Sequence, residues 1–249
     1  MALDALQLYR PCSSKVKKLV FFTGAGISQE SGLQTFRGAG GLWEGHDVSE
    51  VASIEGWHRN PQLVLDFYNQ RRKQLLDSKP NQAHHFIASL ENVFDTEVIT
   101  QNVDDLHERA GSSRVLHLHG ELLKCRSVDN DNRIYTCLND IHLGNVDSFG
   151  AQLRPHIVWF GEMVPMLDSA IPIIQSAEII VVVGTSLQVY PAAGLLQYAT
   201  RAEKIYYIDP FPTLSTLPDQ LIVRLKCLQQ PATEGMKQLY DQLLEIAVK

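Results

Sequence analysis

No stretch of this 249-residue chain is long and apolar enough to cross a membrane; its longest purely aliphatic run, Ile179–Val183, falls far short of the roughly 20 residues required. Basic residues are in deficit, 22 Lys and Arg against 28 Asp and Glu, for a net charge of −6. Sequence-independent nucleic-acid binding draws on a basic surface that releases counterions, so a nucleic-acid partner is not expected. The first 18 residues lack the charged-then-apolar order of a secretory signal. The four cysteines, Cys12, Cys125, Cys137 and Cys227, are scattered, contain no Cys-x-x-Cys pair and outline no disulfide framework. A reducing, cytoplasmic home is the expectation. Repeats and low-complexity tracts are also missing. What remains, 45% hydrophobic and 20% charged, suits a globular chain with a substantial core.

The chain is organised around Val20-Phe21-Phe22-Thr23-Gly24-Ala25-Gly26. An apolar aromatic run predicts a buried strand over 18–23, and the glycines predict a tight turn into a helix start. Such a turn offers free backbone N–H groups and a helix dipole to a phosphate. The usual dinucleotide spacing is absent, since Gln29 stands where a third glycine would fall. Alone, therefore, Gly24-x-Gly26 fits an ordinary strand-to-helix turn as well as a pyrophosphate site.

The remaining pattern alternates strands and helices. Residues 1–16 read as a short helix and 38–59 as a mobile loop, whose Trp43 and Trp57, with Phe36, either cover a ligand or pack locally. Asn60-Pro61 is a cap followed by proline at the first helical position, predicting a helix to about Asp77. One of its stripes reads Val64, Tyr68, Arg71, Leu75, and an arginine in an apolar stripe needs a partner. From spacing alone, a structural salt bridge explains Arg71 better than a ligand does. A helix over 81–94 precedes strand 97–100, which ends in Gln101-Asn102-Val103-Asp104, polar side chains that serve either as caps or as ligand groups. A short strand carries His117 and His119 on one face. Residues 121–155 are polar and weakly patterned. Strand 179–183 ends in Gly184-Thr185-Ser186, a helix follows over 191–201, and strand 204–208 ends in Asp209. An acidic residue there suits ribose hydroxyls and disfavours a 2′-phosphate, so NAD is expected over NADP. A short strand over 225–227 and a helix over 235–248 close the chain.

Read together with Ser28, Ser31, Gly32, Phe36, Arg37, Gly38 to Trp43, Gln101-Asn102-Val103-Asp104 and Leu118-His119-Gly120, the glycine stretch resembles that of the sirtuins, the NAD-dependent protein-lysine deacylases. The resemblance spans nearly the whole chain. It implies an α/β fold: a Rossmann-like parallel sheet with helices on both faces, plus a smaller discontinuous lobe. The large NAD-binding lobe would comprise about 1–37, 84–120 and 160–249, and the small lobe about 38–83 and 121–159. It implies transfer of the acyl group from lysine to ADP-ribose, giving nicotinamide, free lysine and 2′-O-acyl-ADP-ribose.

The same resemblance assigns site residues. His119, the His before Gly, would be the general base, and His117 would pack behind it. Asn102 and Asp104 would position the nicotinamide amide and a water, and Gln101 and Val103 complete that motif. Gly24, Ala25, Gly26, Ser28 and Arg37 would meet phosphates and ribose, and Phe36 would shield the reacting carbon, with Trp43 beside it. Gly184, Thr185, Ser186, Asp209 and Ala232 would complete the cofactor site. Val158 and Phe160 would lie where an acyl-lysine peptide adds as a strand. Tyr68-x-x-Arg71 is similar to the pair that holds the distal carboxylate in the succinyl- and malonyl-removing branch, with Ala52 near a widened acyl pocket. The chain departs from the family's four zinc cysteines, so no structural zinc is expected. Acyl-lysine proteins are the expected partners and a monomer the expected state. A plain deacetylase, a mono-ADP-ribosyltransferase and a non-catalytic NAD or ADP-ribose sensor are the alternatives. The glycine spacing argues against an ordinary dehydrogenase.

Overall fold

The computed structural model describes residues 16–34, 42–43, 45–215 and 217–248. The expected N-terminal helix, apart from Val16, and the candidates Phe36 and Arg37 lie outside the described residues. In chain order, β1 (Lys18–Thr23) runs into two short 3-10 helices, Ala25–Ile27 and Gln29–Ser31. Then come β2 (Leu42–Trp43), β3 (His46–Asp47), α1 (Val48–Val51), α2 (Ile54–Arg59), α3 (Pro61–Asp77) and α4 (Gln82–Ser89). Next are β4 (Asp95–Thr100), α5 (Leu106–Ala110), β5 (Val115–His117), β6 (Gly120–Ser127), β7 (Ile134–Thr136) and β8 (Leu153–Ile157). The chain finishes with α6 (Leu167–Ser176), β9 (Ile179–Val183), β10 (Lys204–Ile208), α7 (Asp219–Ile222), β11 (Leu225–Leu228) and α8 (Ala232–Val248).

Six strands form one parallel sheet in the order β11-β10-β9-β1-β4-β5. Side chains alternate between the faces of a strand, so an unbroken apolar run must be covered on both. In β1, Val20 and Phe22 join one core with Ile99, Ile180 and Val182, roofed by Ala170 and Ile174 of α6. Leu19 and Phe21 join the other with Val98 and Val181, roofed by Ile87 of α4 and Met236 and Leu239 of α8. Each such side chain contributes roughly 1.5–3 kcal/mol by burial. Strand order reverses between β1 and β9, and the carboxyl ends there open the crevice where such sheets take ligands. This is the Rossmann-like architecture expected from the sequence.

A second sheet, antiparallel and three-stranded in the order β7-β6-β8, packs on α3 through Val64, Tyr68, Leu122, Cys125, Ile157 and Trp159. It occupies the region that reads as unpatterned in sequence: its strands are short, and β7 is exposed on both faces. The expected loop over 38–59 is corrected as well. Its described part holds the β2–β3 pair and helices α1 and α2, capped by Asp47 and Ser53, whose side chains accept the N–H groups of Ser49 and Gly56. Helix α3 has the predicted bounds, with the Asn60 side chain accepting the Leu63 N–H at 3.2 Å. The helix expected over 81–94 stops at Ser89 and continues as a 3-10 turn, and that over 191–201 is a 3-10 helix, Ala192–Tyr198.

Candidate active site

A cavity of about 280 Å³ lies at the carboxyl ends of β1, β4 and β9 and extends toward α3 and the segment after β8. Of the residues expected to act, Gly24, Ala25, Gly26, Ser28, Trp43, Gln101, Asn102, Val103, Asp104, His119, Gly184, Thr185 and Ser186 line it, as do Tyr68, Arg71, Val158 and Phe160. Asp209 and Ala232 do not: both are buried, Asp209 accepting the Phe211 N–H and Ala232 packing at the start of α8. Trp57 is also outside the lining, tilted against Trp159 at 5.4 Å, which is local packing.

The glycine turn works differently from the expectation. Gly24 donates its N–H to the Val183 carbonyl at 3.0 Å and Gly26 to the Gly184 carbonyl at 2.7 Å, so neither group is free for a phosphate. The following helix is a three-residue 3-10 turn, too short for a developed dipole. The glycines serve close approach instead. A Cβ on Gly26 would stand 2.7 Å from the Gly184 Cα, and one on Gly24 would stand 2.7 Å from the Thr185 Cβ. The two strand ends thus meet backbone to backbone, leaving an uncluttered floor.

Polar groups ring that floor. Ser28 donates its hydroxyl proton to Asp104 Oδ2 at 2.9 Å and accepts the Asn102 amide at 3.1 Å. The Asp104 carboxylate also accepts the Leu106 N–H, while burial pushes its pKa above the usual carboxylate range despite these bonds. Gln101 donates to the Thr185 hydroxyl at 3.0 Å, joining the ends of β4 and β9. Amide, carboxylate and hydroxyl groups at a cleared sheet crevice fit a dinucleotide bearing a carboxamide, and these residues fit NAD.

The two histidines separate by environment. His119 Nδ1 lies 3.0 Å from the Gln101 carbonyl, which only accepts, so Nδ1 carries the proton and Nε2 keeps its lone pair at the cavity. Burial lowers its pKa, partly offset by that carbonyl, so the ring is a neutral base at pH 7. His117 lies outside the lining, between the Asn102 carbonyl at 3.0 Å and Glu108 at 2.7 Å. Burial opposes its charge, but the Glu108 hydrogen bond and carboxylate raise its pKa on balance. One ring is poised to accept a proton; the other is tied into the frame.

At the other end, Tyr68 and Arg71 share the α3 face and line the cavity, 0% and 7% exposed. The Arg71 guanidinium stacks over Trp43, 4.2 Å from the ring centroid. Ala52, 5% exposed, is a small residue of the same lining. Phe160 donates its N–H to the Ala52 carbonyl and accepts from Ile54, and Val158 donates to the His119 carbonyl. Among the described residues, neither the Val158 carbonyl nor the Gly161 amide has a main-chain partner. Sequence reading missed Trp159 and Glu162, which line the cavity too; their signal was adjacency to Val158 and Phe160 in an aromatic strand end. Tyr190 and Pro191, also in the lining, carried no signal.

Comparison with known proteins agrees with this geometry. Among curated relatives, NAD-dependent protein deacylases from Helicobacter pylori (strain J99) and Bacteroides thetaiotaomicron are 53% and 49% identical, covering 93% and 92% of this chain and 97% and 99% of theirs. A crystal structure of a Sir2 homologue in complex with NAD superposes with a TM-score of 0.82 at 37% identity, covering 94% of this chain and 91% of that one. The Sir2 family model matches residues 24–191, from the first glycine of the turn to the far wall of the cavity, and the chain belongs to the Sir2 family.

Proposed function

We propose that this chain removes succinyl and malonyl groups from protein lysines, with acetyl as a weaker substrate. Its family and its relatives make it an NAD-dependent protein-lysine deacylase, an enzyme that moves an acyl group to ADP-ribose. The finer reading is carried by one observation: a buried phenol and a buried guanidinium, Tyr68 and Arg71, open into the same cavity as His119. A guanidinium presents a planar fork to a carboxylate, and a phenol adds one directed donor. Acetyl-lysine offers neither a partner.

When bound, NAD supplies an electrophilic ribose carbon and nicotinamide as the leaving group. The chain's own residues supply the rest. Asn102 and Asp104 orient a carboxamide, with Ser28 fixing both, and the Gln101–Thr185 bridge holds the strand ends that carry the ribose. His119 Nε2 takes a proton from a hydroxyl, the Gln101 carbonyl holding the proton on Nδ1 so that Nε2 is the basic atom. Val158 and Gly161 pair with the substrate main chain, and Trp43, Ala52 and Phe160 exclude water around the acyl-lysine. The parallel sheet thus serves the cofactor, while α3 and the three-stranded sheet serve the acyl chain.

The test is steady-state deacylation with NAD of one peptide carrying succinyl-, malonyl- or acetyl-lysine. The expected result is a kcat/KM advantage of at least about tenfold for the acidic groups, the worth of one charged hydrogen bond. A preference for acetyl would return Tyr68 and Arg71 to a structural role.

A further inference from the structure

The phenol oxygen of Tyr68 has a specific neighbour: Trp159 Nε1, at 3.1 Å. An indole nitrogen only donates, so the phenol accepts there. Among the described residues, no acceptor takes the phenol's own proton. Tyr68 and Trp159 are both at most 2% exposed, so this bond sits out of water at the wall of the cavity.

Trp159 is held firmly enough to keep it there. Its main-chain N–H donates to Glu162 Oε2 at 2.8 Å. The Arg154 guanidinium lies over its ring, 3.4 Å from the centroid, and Trp57 packs against it. Arg154 is itself fixed by Glu162 at 2.6 Å and 3.0 Å and by the Ile157 carbonyl at 3.1 Å. A cation on the face of an indole draws electron density from the ring and strengthens the N–H as a donor. Burial raises the pKa of Tyr68, so the phenol remains a donor throughout the working range.

We infer that Trp159 is a positioning residue for acyl selectivity: its indole N–H occupies the inner lone pair of the Tyr68 oxygen and leaves the phenol's one proton for the distal carboxylate of the acyl group. This rests on the acidic-acyl reading above. Without the indole N–H, the phenol oxygen would face a dry wall with no donor, within the field of the Arg71 and Arg154 guanidinium groups. A phenylalanine at 159 keeps a ring for Arg154 and Trp57 but removes the donor.

The experiment measures Trp159→Phe, Tyr68→Phe and the double variant on succinyl- and acetyl-lysine peptides of one sequence. Trp159→Phe should raise KM roughly five- to tenfold more for the succinyl peptide than for the acetyl peptide, the worth of one lost hydrogen bond. In the Tyr68→Phe background, Trp159→Phe should add no further loss on the succinyl peptide, because the two residues act as one unit. Equal losses on both substrates, or additive losses in the cycle, would overturn the inference. A direct measurement covers the case in which Trp159→Phe does not fold. With three tryptophans in the chain, the indole N–H resonance of Trp159 can be assigned and followed in Tyr68→Phe. It should move upfield as its acceptor is lost, and an unmoved resonance would refute the bond. A wild-type enzyme without acidic preference would overturn the acidic-acyl reading and this inference together. A wild-type preference that Trp159→Phe leaves intact would overturn this inference alone.

Discussion

Arg71→Met offers the sharpest perturbation of the proposed acyl site. Arg71 is 7% exposed, lines the cavity and stacks over Trp43, so it meets the cavity out of bulk water. Hydrogen bonds between charged groups contribute about 1.5–3 kcal/mol each. A bidentate contact in a dry site, less the desolvation of the two ions, leaves a net figure near 3 kcal/mol. At about 1.4 kcal/mol per factor of ten, kcat/KM on succinyl-lysine should fall roughly 100-fold. Methionine fills most of the aliphatic volume, so acetyl-lysine, which has no carboxylate to lose, should change by less than about threefold. The chain should stay folded, although the variant gives up the cation–π contacts with Trp43 and Phe67, of about 1 kcal/mol each. The assay is nicotinamide release at saturating NAD over a range of each peptide, with Tm recorded for both proteins. Equal losses on succinyl and acetyl peptides at unchanged Tm would show that the arginine supports the wall rather than the substrate.

Three further outcomes follow from the geometry. His119→Tyr should abolish turnover while calorimetry still records NAD binding, and turnover at the wild-type rate would remove the assigned base. The chain should lose stability in mild acid, because burial holds His84 at about 4 and His107 well below its ordinary value. A depressed histidine pKa gives stability that is complete above about 6.5 and is lost as pH falls; His84 alone should cost about 2 kcal/mol by pH 5. A Tm that holds or rises between pH 7 and pH 5 at fixed ionic strength would contradict this. A strong zinc chelator should leave Tm unchanged, and metal analysis should find less than one zinc per chain, since no Cys-x-x-Cys pair is present; a large drop in Tm would contradict it.

Legibility varied with the physical origin of each feature. The strands of the parallel sheet were plain because burial on both faces demands unbroken apolar runs, as in Ile179–Val183. Helix α3 was plain because Asn60 and Pro61 mark its start. The floor of the site was legible through motif order, yet its mechanism was not. The sequence cannot say whether a glycine N–H is spent on a phosphate or on a neighbouring strand, and here Gly24 and Gly26 spend theirs on β9 and its end. Helices α1 and α2 escaped notice because each is only one or two turns long, with capping side chains doing what a long apolar stripe does elsewhere. Trp159 escaped notice because its hydrogen bond spans 91 positions to Tyr68, and no local pattern encodes that.

That long-range contact belongs to a wider answer to how the three-stranded sheet holds without four cysteines. Four side chains of one stretch of α3, Tyr68, Asn69, Arg71 and Arg72, fan out to separate tasks. Tyr68 meets Trp159, and Asn69 brackets Ile141 with two bonds of 2.9 Å, one to its carbonyl and one from its N–H. Arg71 enters the cavity, and Arg72 donates to the Leu122 carbonyl of β6 at 3.1 Å and to Asn69 at 2.9 Å. Arg126 and Arg154 both grip Glu162, joining β6 and β8 to the segment that lines the cavity. Cys125, 3% exposed, has become core. Buried polar contacts of this kind are costly to leave half-made, so they specify one arrangement rather than merely adding stability. The sheet is therefore fastened to the same helix turns that present Tyr68 and Arg71. Where a metal would tie the strands to one another, this chain ties them to the helix that carries Tyr68 and Arg71, and whatever loosens the sheet also loosens that wall of the cavity.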